Sequence, residues 1–101
     1  MFNKKRYLTR GVRDEIPFEI QMALWAIISA RHADGEELDY LQVFKLSSKG
    51  SMLQIINSQE VPPYTKELVI PLECAPDTPI ETRVWVIDSG EYSTMLLPEE
   101  Y

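Results

Sequence analysis

Apolar residues recur at helical spacing in one long stretch of the chain, residues 16–32 (IPFEIQMALWAIISARH). At 100° per residue, Ile16, Ile20, Ala23, Leu24, Ile27 and Ile28 gather on one broad face, which predicts an amphipathic helix with that face toward a core. Pro17 suits the first helical position, where a missing N–H costs nothing. Asp14 and Glu15 bring negative charge to the positive end, and Arg31 and His32 occupy the last turn. Gly35 supplies a left-handed residue to stop the helix.

Elsewhere the period is two. Residues 7–12 (YLTRGV) read as a first strand, with Gly11 permitting a bulge or a close approach near its end. Residues 38–47 place Tyr40, Phe44 and Leu46 on one face and Leu41 and Val43 on the other. A turn at 48–51 leads to a strand at 52–57, and the two form an antiparallel hairpin. Pro62 and Pro63 interrupt the ladder, because proline has no N–H to give it. Residues 66–72 alternate, with Leu68, Ile70 and Leu72 inward, and Pro71 marks an edge strand. Residues 82–88 set valines against Trp85 and Ile87, and residues 92–97 give a short sixth strand stopped by Pro98. The order β-α-β-β-β-β(-β) predicts one α+β domain over residues 1–101, with one long helix packed on a mainly antiparallel five- or six-stranded sheet.

That architecture has too little cover. A helix about 10–12 Å across spans two or three strands spaced about 4.8 Å apart. Strands 38–47, 52–57 and 82–88 are apolar on both faces. The helix itself carries a second stripe, Phe18, Met22 and Trp25, on the side away from the core face. The sheet curls, the C-terminal segment wraps the helix through Met95, Leu96 and Leu97, or another chain covers the surplus.

Charge changes the picture in one place. The formal net charge is −6, which opposes general affinity for nucleic acid or an anionic membrane. Residues 1–13 nevertheless carry Lys4, Lys5, Arg6, Arg10 and Arg13 and no acid, which leaves −11 on the remainder. This basic segment either lies against an acidic surface of its own domain or grips a phosphate or acidic partner. No apolar run reaches the roughly 18 residues of a membrane span, and the N-terminus lacks the apolar region of a signal peptide. With one cysteine, Cys74, no internal disulfide forms, so a reducing cytoplasm is the expected location.

Catalytic chemistry is sparse, and the reading leans away from an enzyme. His32, the one histidine, reads as a surface residue at a helix C-terminus. One histidine and one cysteine do not make a zinc site, and Cys74 reads as a small packing residue without a base beside it. Four scattered glycines form no phosphate loop. Residues 88–91 (DSGE) lack calcium-loop spacing, and residues 99–101 (EEY) read as a solvated acidic tail. No catalytic, metal or cofactor residue is assigned.

Four segments carry a resemblance: MFNKKRYLTRGV at the start, LDYLQVF at 38–44, SQEVPPY at 58–64 and VIDSGEYSTMLLPEEY at 86–101. Together they resemble a family of short uncharacterised proteins of Gram-positive bacteria, known only as a domain of unknown function. The resemblance implies a cytoplasmic bacterial protein of similar length and carries no activity. Three expectations follow. The first is a non-enzymatic protein-interaction module, binding a protein partner or forming a homodimer through Phe18, Met22 and Trp25. The second is a nucleic-acid-associated protein using the basic segment, with Tyr7 as a stacking ring; the net charge argues against it. The third is a small ligand-binding or enzyme domain with a pocket between helix and sheet, lined by Tyr40 and Trp85.

Overall fold

The computed structural model describes Phe2 and residues 4–101. Its elements run β1 (Lys5–Leu8), α1 (Arg10–Glu15), α2 (Phe18–Ala33), β2 (Leu41–Lys49), β3 (Met52–Gln59), β4 (Tyr64–Pro71), β5 (Glu81–Asp88) and β6 (Tyr92–Leu96), then a 3-10 turn (Pro98–Glu100). The six strands form one sheet in the order β1-β6-β5-β2-β3-β4. All neighbours pair antiparallel except β1 and β6, which run parallel. The α+β class and the long helix follow the sequence pattern, while the sheet is mixed and a second, short helix is present.

That short helix corrects the first predicted strand. The ladder ends at Leu8, and Thr9 caps a helical turn by accepting a hydrogen bond from the Val12 N–H through its side chain. Of the two roles open to Gly11, the structure has the close approach and not the bulge: a Cβ there would lie 2.6 Å from a Glu100 carboxylate oxygen. Asp14 and Glu15 fall at the end of α1 rather than at the head of the long helix. Ile16 is extended, as a residue before proline prefers, and Pro17 is the cap of α2, not its first residue. Buried Gln21 ties the joint together by donating to the carbonyls of Ile16 (2.8 Å) and Val12 (3.4 Å).

α2 stops as its sequence requires. Gly35 has φ +75, and the Glu36 N–H reaches back to the Arg31 carbonyl at 3.1 Å, a glycine-terminated Schellman closure. The β2–β3 hairpin turns through Gly50, φ +59, and its register runs from Lys49↔Met52 to Val43↔Ser58. The Pro62-Pro63 turn joins β3 to β4 without destroying the ladder, which resumes at Gln59↔Tyr64.

The core lies between α2 and one face of the sheet. Ile20, Leu24 and Ile28 meet Phe44, Leu46, Leu53, Ile55, Val84 and Val86, all at most 1% exposed. Phe2 and Val12 complete it from the N-terminal side. Ala23 and Ile27, expected on the same helix face, are only half-buried. α2 leans away from β4, whose inward residues Leu68 and Ile70 remain partly open. On the opposite face of the sheet the C-terminal segment folds back, with Tyr101 edge-on to Trp85 at 5.7 Å. Met95 and Leu97 enter the core instead of wrapping the helix stripe. No helix among the described residues is long and apolar enough to cross a membrane.

Candidate functional site

Because α2 sits off-centre, a cleft of about 420 Å³ opens between it and β4. The α2 wall is Ala23, Ala26 and Ala30 with Ile27, and the floor is Leu68 and Ile70. Sequence dictates this opening. Alanines at 23, 26 and 30 are too short to bridge from the helix to an edge strand, whereas a leucine at any of them would fill the gap.

Two contacts bracket the cleft along the helix. Near its start, Glu19 accepts from the Glu73 N–H at 3.1 Å. At its far end, the Arg31 guanidinium lies 3.7 Å from the centre of the Tyr64 ring. Arg31 is 4% exposed, so its charge must be compensated from within the protein. Its Nε donates to Glu36 (3.0 Å), Nη1 to Gln42 (2.8 Å) and Asn57 (2.9 Å), and Nη2 to Gln59 (3.0 Å). Gln42 donates in turn to Gln59 at 2.7 Å, and Gln59 donates to the Glu37 and Pro62 carbonyls. Among the described residues no buried side-chain polar atom lacks a partner. Such a saturated network fixes geometry and leaves little donor capacity for a ligand; it is a clamp holding α2, β2, β3 and the 60–63 turn at the cleft's polar end.

Arg31 was legible only as a charge in the last helical turn. The overlooked signal was in the strands: Gln42, Asn57 and Gln59 all occupy inward positions, alternating with Phe44, Leu53 and Ile55. Three polar residues on a core face require a buried partner.

The predicted stripe on α2 is divided. Phe18 and Met22 are 72% and 50% exposed, while Trp25 is 7% exposed. Arg6 lies over the Trp25 ring at 4.7 Å and donates to the Ser29 hydroxyl at 2.7 Å, closing the gap between α2 and β1. Phe18 borders a separate shallow groove with Leu8 and Arg13.

The five basic residues do not converge. Strand alternation sends Arg6 to the helix side and Lys5 to the other. Lys4 and Arg10 are exposed, and Arg13 pairs with Asp14 at 3.1 Å. Tyr7 packs edge-on against Tyr92 at 5.5 Å. Tyr40 is 55% exposed, and Trp85 lies on the opposite sheet face, so neither lines the cleft between helix and sheet. Cys74 is exposed rather than packed, and no group of three or more metal-ligating side chains occurs among the described residues.

The acidic tail is not solvated throughout. Glu100 accepts from the Thr9 hydroxyl (2.5 Å), the Leu97 N–H (2.8 Å) and the Gly11 N–H (3.1 Å). The Thr9 hydroxyl chiefly, then the Leu97 and Gly11 amides, hold its carboxyl below the ordinary glutamate pKa, partly opposed by desolvation.

Comparison with curated proteins gives no match. Among solved structures, a protein of unknown function from Enterococcus faecalis is similar, with TM-score 0.79, 28% sequence identity, and coverage of 97% of this chain and 91% of that one. Residues 5–100 match the family model described as staphylococcal protein of unknown function (DUF960). The whole body from β1 to β6 lies within that match, and the chain is a member of the DUF960 family.

Proposed function

We propose that this domain is a non-catalytic interaction module that receives an apolar segment of a partner protein in the cleft between α2 and β4. The observation that carries the reading is the cleft itself: an alanine-walled, aliphatic-floored opening held by a saturated polar clamp at one end. Binding sites of this kind are concave, mostly apolar and pre-formed. At its polar end Arg31, Glu36 and Asn57 are engaged in the clamp, while Asp34, Tyr64 and Lys66 also line the opening.

The test begins with a photo-crosslinking residue at Ala26 in the native cell and a control at Tyr40. A partner recovered through Ala26 is then purified and titrated in vitro. Ala26→Glu is expected to weaken its binding at least about tenfold, the cost of burying an unpaired charge, while changing stability by no more than about 0.5 kcal/mol. Equal labelling from both positions, or a partner indifferent to Ala26→Glu, would contradict the reading.

A second reading is supported by the exposure of Phe18 and Met22. These two residues form an i, i+4 ridge suited to a homodimer contact. Trp25, buried beneath Arg6, takes no part in it. Self-association abolished by Met22→Glu and untouched by Ala26→Glu would favour that surface.

A further inference from the structure

We infer that the occupant of the cleft is an extended segment of another protein, added antiparallel to the free edge of β4, with aliphatic side chains on the helix side and a basic-acidic pair at its C-terminal end. This rests on the cleft reading above and specifies its ligand.

Backbone direction comes first. The Leu72 N–H donates to the Ser51 carbonyl at 2.7 Å, which makes Met52↔Pro71 a non-hydrogen-bonded pair and Leu53↔Ile70 a hydrogen-bonded one. The even-numbered groups of β4 therefore face β3, and the N–H and C=O groups of Thr65, Glu67 and Val69 face outward. All three residues are exposed. Pro71 also faces outward, so its missing N–H costs the sheet nothing and ends the available ladder. A strand seated here gains backbone bonds at up to three residues, and its alternate side chains close the open side of the cleft.

Side chains then set the chemistry. On the helix side an antiparallel occupant meets Ile70, Leu68 and Lys66 in turn; on the other side it meets Val69 and Glu67. Cross-strand pairing favours aliphatic residues opposite Ile70 and Leu68, a β-branched residue opposite Val69, a base opposite Glu67 and an acid opposite Lys66. From N- to C-terminus the segment reads aliphatic, β-branched, aliphatic, basic, acidic. A second copy of this chain fits poorly. No antiparallel pairing of β4 with itself gives Lys66 an acid while giving both Leu68 and Ile70 aliphatic partners.

The probe is the blocked peptide acetyl-Ser-Ile-Thr-Val-Lys-Glu-Ser-amide, titrated into the full chain by isothermal calorimetry. Two further peptides are N-methylated at Thr and Lys, or have the Lys-Glu order inverted. We expect saturable binding, about tenfold weaker after N-methylation because two backbone bonds are lost. Exchanging the two charges, in the double variant Lys66→Glu with Glu67→Lys, should invert the preference between the Lys-Glu and Glu-Lys peptides by about threefold each way, and Lys66→Glu alone should erase it. Absence of binding at millimolar peptide overturns the inference, and the crosslinking test at Ala26 then decides the cleft reading by itself. Binding lost on Ala26→Glu yet indifferent to N-methylation keeps the cleft and overturns strand addition. Protection of the Thr65, Glu67 and Val69 amides in a self-associated chain without peptide would make the occupant a second copy, and also overturns it.

Discussion

The two edges of the sheet meet the same helix and end differently. At the β1 edge, Trp25 and Arg6 fill the space: the indole is buried, and the guanidinium lies across it to reach Ser29. At the β4 edge, Ala23, Ala26 and Ala30 line the opening, and polar contacts bracket it at the ends, through Glu19 and Arg31. The β1 strand is four residues long, while β4 is eight and continues past the helix's cover. Side-chain size on one helix therefore decides which edge is closed as core and which is left as a surface for use. The open edge also carries the usual guards against indiscriminate pairing, Lys66, Glu67 and Pro71.

The largest effect should come from breaking the closed edge. Trp25→Ala removes a buried indole and strands Arg6, and is expected to cost about 3–5 kcal/mol in urea denaturation with an unchanged m-value. The mirror experiment, Ala26→Leu, fills the open edge and should change stability by no more than about 0.5 kcal/mol. A large loss there would show that the cleft is already packed. Next is the clamp. Arg31→Ala leaves the acceptors of Gln42, Asn57 and Gln59 short of donors and should cost about 3 kcal/mol. Arg31→Lys should recover little of it, since an ammonium cannot reproduce the fork; full recovery by lysine would mean that charge alone matters.

Much of the core and of the sheet could be read from the chain. The stripe of Ile20, Leu24 and Ile28, the alternation of β2, β3 and β5, the Gly35 stop and the edge position of the Pro71 strand are local patterns, and the structure has them. The misses are non-local. Thr9-Arg10-Gly11-Val12 reads as strand by composition, yet Glu100, distant in sequence, accepts from Thr9 and Gly11 and supports a helical turn there. Helical periodicity points Trp25 to solvent because the wheel does not show β1 arriving above it. Periodicity puts Ala23 and Ile27 in the core because it reports which face is apolar, not how far the sheet extends beneath it.

The smallest expected effect tests the Glu100 tether. Its folded pKa lies below the ordinary glutamate value, chiefly because the Thr9 hydroxyl donates to the carboxylate. The stabilisation is therefore complete at neutral pH and is lost as pH falls through the folded value. The melting temperature of Glu100→Gln should lie slightly below wild type at pH 7, and the gap should close in acid. Gly11→Ala, which displaces the same carboxylate, should behave alike. A gap that persists at low pH would remove the charge from the explanation.

The difference between the two edges is tested most directly by mapping amide chemical shifts during titration with the Ser-Ile-Thr-Val-Lys-Glu-Ser peptide. The expected map changes at Ala23, Ala26, Ile27 and Ala30 and at the outward amides of Thr65, Glu67 and Val69, and is silent at Arg6 and Trp25. Changes confined to Phe18 and Met22, or to the sheet face bearing Trp85, would contradict it.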